Sequence, residues 1–66
     1  MKNTVRVERA RKDWTQAELA ERVGVSRQTI CAIERRDCTP STVLALKLAR
    51  AFDVPVETLF TLEDDD

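Results

Sequence analysis

An all-α fold of five short helices is what this sequence predicts, with one candidate antiparallel pairing of short strands between its two ends. Three observations carry that expectation. The 66 residues include one glycine and two prolines, and the abundant Ala, Leu, Glu and Arg are good helix formers. Apolar residues recur at helical spacing, most clearly in Leu44, Ala45, Leu48, Ala49 and Phe52. Cap and stop signals then cut the chain into short segments. At this length one domain is expected, residues 1–62, followed by an acidic and frayed tail at 63–66, Glu-Asp-Asp-Asp.

Asn3 or Thr4 can open the first helix, which runs to about Lys12, with Val5, Ala10 and Trp14 marking its apolar side. Thr15-Gln16-Ala17-Glu18 has the T-x-x-E form of a capping box, in which hydroxyl and carboxylate each take one orphan amide. Leu19, Ala20 and Val23 continue that second helix inward until Gly24, which can adopt the left-handed conformation cheaply. Ser26 caps the third helix, with Ile30 and Ile33 as its apolar stripe, so the two helices are joined by a tight turn. Pro40-Ser41 opens the fourth helix. Val54-Pro55 breaks it, because proline disfavours a helical residue before it and suits the first turn of the next helix. Val56 to Phe60 is the fifth helix, and Thr61-Leu62 is the candidate strand, with residues 2–4 as its partner. Asp13, Asp37 and Asp53 stand where glycines usually end helices, and aspartate is among the residues that tolerate positive φ.

The net charge of −1 conceals an asymmetry: residues 1–36 hold nine Lys/Arg against five Asp/Glu, and residues 37–66 hold two against seven. A front half at +4 and a rear half at −5 point to an anionic partner for the front. No apolar run exceeds four residues, Val43 to Leu46, and the first residues lack a signal-like apolar stretch, so a cytoplasmic location is expected. An enzyme is not expected. There is no histidine, and one glycine cannot build a phosphate cradle. Cys31 and Cys38 are half of a Cys₄ set, so neither metal nor other cofactor is expected, and both thiols read as small packing residues. Oxidation of Cys31 is the alternative reading for that residue.

The third helix divides into two faces at about 100° per residue. Arg27, Gln28, Cys31, Ala32 and Arg35 share one arc, and Ile30 and Ile33 lie opposite with Thr29 and Glu34. The polar arc suits a DNA major groove: Arg donates two hydrogen bonds to guanine, Gln pairs with adenine, and small residues permit close approach. Arg27 is also misplaced beside a helix N-terminus, where the dipole favours negative charge, unless an anion faces it.

The run from Thr15 to Ile30, TQAELAERVGVSRQTI, with Ile33-Glu34, Pro40-Ser41 and Leu44 to Ala49, closely resembles the helix-turn-helix of the Xre family, the phage repressor and Cro type. The likeness covers nearly the whole chain and is greatest to small stand-alone dimeric members of the cytolysin-repressor type. It implies a lambda-repressor-like fold and a sequence-specific, DNA-binding transcriptional regulator. A repressor is expected rather than an activator, because no extra surface for an effector or polymerase is evident. The resemblance places Arg27, Gln28, Cys31 and Ala32 at base-reading positions. Gln16, Thr29, Arg35, Arg36, Ser41 and Thr42 fall at positions near DNA phosphates. Arg9 and Glu34 match a buried ion pair. Val56, Leu59 and Phe60 have little chain left to cover them, and they either seal the domain or meet a second copy. In related small regulators this region forms a homodimer, which would read a near-palindrome on double-stranded DNA. A protein-interaction module, an antitoxin or adaptor built on the same fold, is the second functional reading. No small-molecule ligand or membrane partner is expected.

Overall fold

The computed structural model describes residues 1–66 and orders them as β1 (Lys2–Asn3), α1 (Val5–Arg11), α2 (Gln16–Val23), α3 (Arg27–Glu34), α4 (Thr42–Phe52), α5 (Val56–Leu59) and β2 (Phe60–Thr61). The five expected helices are present. The strand pair forms between the chain ends, antiparallel, with Lys2 opposite Thr61 and Asn3 opposite Phe60. Its register is one residue earlier than expected: Phe60 leaves the helix for the strand, and Leu62 lies beyond it.

Capping explains why α2, α3 and α4 start where they do. Thr15 and Glu18 complete the capping box, with the Glu18 amide donating to Thr15 Oγ1 at 3.0 Å and the Thr15 amide donating to Glu18 Oε1 at 3.0 Å. Ser26 Oγ accepts the Thr29 amide and Ser41 Oγ accepts the Leu44 amide. Each such cap stabilises by about 1 kcal/mol. Helix α1 is held differently, because its Thr4 makes no side-chain cap and Asn3 accepts the Val5 amide instead. The Asn3 amide group also donates to the Ile33 carbonyl at 2.9 Å, which ties the N-terminal strand to the end of α3.

Four helices end in the same way, on a residue with positive φ: Asp13 after α1, Gly24 after α2, Arg36 after α3 and Asp53 after α4. In each, the amide of the following residue reaches back five residues, as Val25 does to Ala20 and Asp37 to Ala32. This is the Schellman closure, and it satisfies carbonyls that the helix leaves open. Asp13 and Asp53 behave as expected. Asp37 does not; the left-handed residue is Arg36, because α3 ends one residue earlier and closure follows the helix end rather than the side chain. A β-carbon in that region costs about 1–2 kcal/mol.

The core lies between the helices, with Val5, Leu19, Ile30, Ile33, Leu48 and Leu59 fully buried. Trp14 stacks on Phe52 at 5.7 Å between ring centroids, and the Arg22 guanidinium covers the indole at 4.1 Å. Two expected positions move. Ala10 is exposed, and the inward residue of α1 beside Val5 is Glu8, whose carboxylate lies 3.6 Å from Arg11. Leu59 is wholly enclosed and Phe60 nearly so, so both seal the domain, and Leu59 is corrected from an interface residue to a core residue. Residues 63–66, expected to fray, turn back instead: Glu63 meets Arg36, and the Met1 amino group reaches Glu63 at 3.2 Å and Asp66 at 3.0 Å. No helix is long and apolar enough to cross a membrane.

Candidate nucleic-acid interface

The site is built on α3, which follows α2 across the Gly24 turn and packs against it. Ile30 and Ile33 bury one side of α3 completely, and this decides what the other side presents. Arg27 and Gln28 are exposed in the first turn, with Cys31 and Ala32 half-buried one turn later and Arg35 exposed at the end. Arg27 makes no salt bridge, at a helix end that already carries positive dipole. Neither α3 nor α4 has an acidic residue in its first turn.

Arg9 and Glu34 form the ion pair at the base of the site. Arg9 Nε donates to Glu34 Oε2 at 2.7 Å and Nη2 donates to Oε1 at 3.2 Å, while Nη1 donates to the Trp14 carbonyl at 2.9 Å. The Glu34 side chain is 5% exposed and that of Arg9 is 18% exposed. Hydrogen bonding to Glu34 raises the Arg9 pKa, outweighing the lowering by burial. Such a two-pronged pair is both stronger and more directional than a single contact. Gln16 joins it, its Nε2 donating to Glu34 Oε1 at 3.1 Å.

Other residues read from the sequence are partly engaged within the chain. Thr29 Oγ1 lies 3.0 Å from Ser26 Oγ. Arg35 is 3.4 Å from Asp37, with both side chains well exposed, an arrangement worth little in water. Arg36 pairs with Glu63, so the tail occupies one of the cations at the end of α3. Ser41 and Thr42 are exposed at the start of α4. Sequence reasoning missed Arg6. It lines, with Arg9, Gln16, Cys31, Glu34 and Arg35, a depression of about 290 Å³ beside α3. The available signal was its place one turn before Arg9 on the same helix.

A second surface is apolar. Leu46 and Leu62 are 54% and 76% exposed. Leu46 lines a groove of about 320 Å³ with Met1, Pro40, Ala45, Val56 and Phe60 among others, whereas Leu62 lines a separate depression with Lys2, Glu63, Asp64 and Asp65. Of the three apolar residues expected at a dimer contact, Val56 is half-buried and lines this groove, Phe60 is a core residue that shows the groove only an edge, and Leu59 is enclosed.

This arrangement has known counterparts. The family model described as Helix-turn-helix (HTH_3) matches residues 5–59. The chain is 48% identical over 66 residues, covering all of both chains, to a protein of Bacillus subtilis named uncharacterized HTH-type transcriptional regulator YgzD. Among solved structures it is similar to the N-terminal DNA binding domain of SinR from Bacillus subtilis, with TM-score 0.78 and 32% identity over 94% of this chain and 90% of that one. It is also similar to the restriction-modification controller protein C.AhdI from Aeromonas hydrophila, with TM-score 0.78 and 36% identity over 85% of each chain.

Proposed function

The chain belongs to the helix-turn-helix family of Xre-type, DNA-binding transcriptional regulators, and on that premise we propose that it is a repressor that binds a near-palindromic operator as a homodimer. The observation that carries this reading is the division of α3: one side is wholly buried, and the other offers Arg27 and Gln28 unshielded. In the major groove Arg27 donates its paired N–H groups to a guanine edge and Gln28 pairs with an adenine. Cys31 and Ala32, one turn on, are small enough to let the helix approach the bases. Gln16, Thr29, Arg35, Arg36, Ser41 and Thr42 flank that helix and hold the backbone, which fixes register and carries no sequence information.

Two copies suit this reading. An eight-residue helix spans about 12 Å and enters one groove once. A near-palindrome offers two half-sites about 34 Å apart, and one chain carries one such helix. A second copy joined through the groove of Leu46, Val56 and Phe60 supplies the second half-site. Repression then needs only occupancy, since a bound dimer obstructs polymerase.

Selection of bound fragments from random duplexes, followed by titration at several salt concentrations, tests this. Affinity is expected to fall steeply with salt, as phosphate neutralisation requires. Arg27→Ala is expected to cost about 1–3 kcal/mol at one operator position and to relax base choice there. Salt-insensitive binding, with base preference untouched by Arg27→Ala, would instead favour a protein-interaction module.

A further inference from the structure

We propose that Glu34 is a positioning residue for DNA binding, which sets the face of the Gln16 carboxamide that is turned outward. The inference rests on the reading of this chain as a DNA-binding regulator and deepens it. Gln16 Nε2 donates to Glu34 Oε1 at 3.1 Å. A carboxylate only accepts hydrogen bonds. Turning the amide over would therefore set oxygen against oxygen, so Gln16 keeps its NH₂ group toward Glu34. One N–H is then engaged and the other remains a donor beside the depression that Arg6 and Arg35 help to line. A phosphate oxygen needs such a donor, and the two arginines supply charge of the required sign.

Glu34 can do this because it is itself held. Arg9 grips both carboxylate oxygens, at 2.7 and 3.2 Å, and is anchored on its far side by the Trp14 carbonyl. The same Oε1 atom accepts from Arg9 and from Gln16. A chain of contacts thus runs from the turn after α1, through the end of α3, to the start of α2. A glutamine at the first position of a helix otherwise samples several rotamers. Fixing it before DNA arrives removes part of the ordering cost of binding.

A double-mutant cycle on a mixed-sequence duplex at low ionic strength tests the proposal, since a phosphate contact does not depend on the operator. Gln16→Ala is expected to lower affinity about tenfold, the scale of one charge-assisted hydrogen bond. The paired replacement Arg9→Met with Glu34→Leu removes both charges together and strands neither. It is expected to lower affinity by a similar factor, and Gln16→Ala added to it is expected to change little. A purely structural Glu34 predicts the full tenfold loss from Gln16→Ala in both backgrounds, and that result overturns the proposal, as does no loss in either. Should the paired variant melt, Glu34→Asp serves: it draws the carboxylate back by one methylene and is expected to give the same non-additivity. Absence of wild-type binding would remove the DNA reading as well, whereas additivity with wild-type binding intact removes the positioning role alone.

Discussion

The corner made by α2, its turn and α3 is held by contacts close in sequence, and the end made by α5, the strand pair and residues 63–66 is held by contacts across the whole chain. At the corner, Thr15 and Glu18 cap each other, Ser26 caps Thr29, and Gly24 closes α2. At the other end, the Thr4 amide donates to the Leu59 carbonyl at 2.9 Å, and Lys2 and Asn3 pair with Thr61 and Phe60. Helix α5 has four residues and no side-chain cap, far too short to persist alone. The difference teaches that the starts and stops of α2 and α3 are specified locally, whereas the closing segment exists only because the rest of the core receives it.

Leu59→Ala makes the sharpest attempt on that distinction. Leu59 is completely buried, and truncating a buried leucine costs about 3–4 kcal/mol through lost transfer energy and a residual cavity. For a domain of this size that is a large share of total stability. Thermal melting is expected to fall by more than about 10 °C, with the termini losing amide protection first. A small shift would mean that α5 is an appendage and the comparison wrong.

That division also explains what could be read from the sequence. Thr15, Ser26, Ser41 and Gly24 act within a few residues of themselves, so the helices and the exposed arc of α3 were legible. The fate of Leu59 was not, because its apolarity is equally compatible with a core and with a dimer contact, and only the fold decides. Arg36, and not the expected Asp37, is the left-handed residue for a related reason: such a closure depends on where α3 stops, to within one residue. The link from Gln16 to Glu34 crosses 18 positions and leaves no local pattern. Glu8 departs from a plain apolar stripe on α1, where Arg11 partners the inward carboxylate.

Glu34→Ala probes the corner where it too relies on distant contact. Removing the carboxylate leaves the Arg9 guanidinium partly buried without its partner, which costs about 3 kcal/mol, the low end for a broken buried pair because Arg9 keeps some solvent. Circular dichroism is expected to show an earlier, still cooperative melt. DNA binding measured well below the transition is expected to weaken less than folding does, apart from the Gln16 contribution. An unchanged melting temperature would mean that capping alone sustains the corner.

The smallest effect is expected where residues 63–66 fold back, and its dependence on pH has two signs. Hydrogen bonding to Arg36, and then to the amino terminus, lowers the Glu63 pKa from its ordinary 4.5. The Glu63 amide, and then the amino terminus, lower that of Asp66 from 3.8. A depressed carboxylate stabilises the fold above its unfolded pKa, and that contribution disappears as pH falls through the folded value. Hydrogen bonding to Asp66 raises the Met1 amino group above 8.0, so its contribution is complete below 8.0 and is lost as pH rises through the folded value. Between these limits the tail contributes a flat plateau. Glu63→Gln is expected to lower that plateau slightly, to leave melting unchanged at low pH, and to lose its effect in high salt because the pairs face water. An effect as large as that of Leu59→Ala would make the tail a structural element in its own right, and the far end of the molecule would then depend on charge as much as on packing.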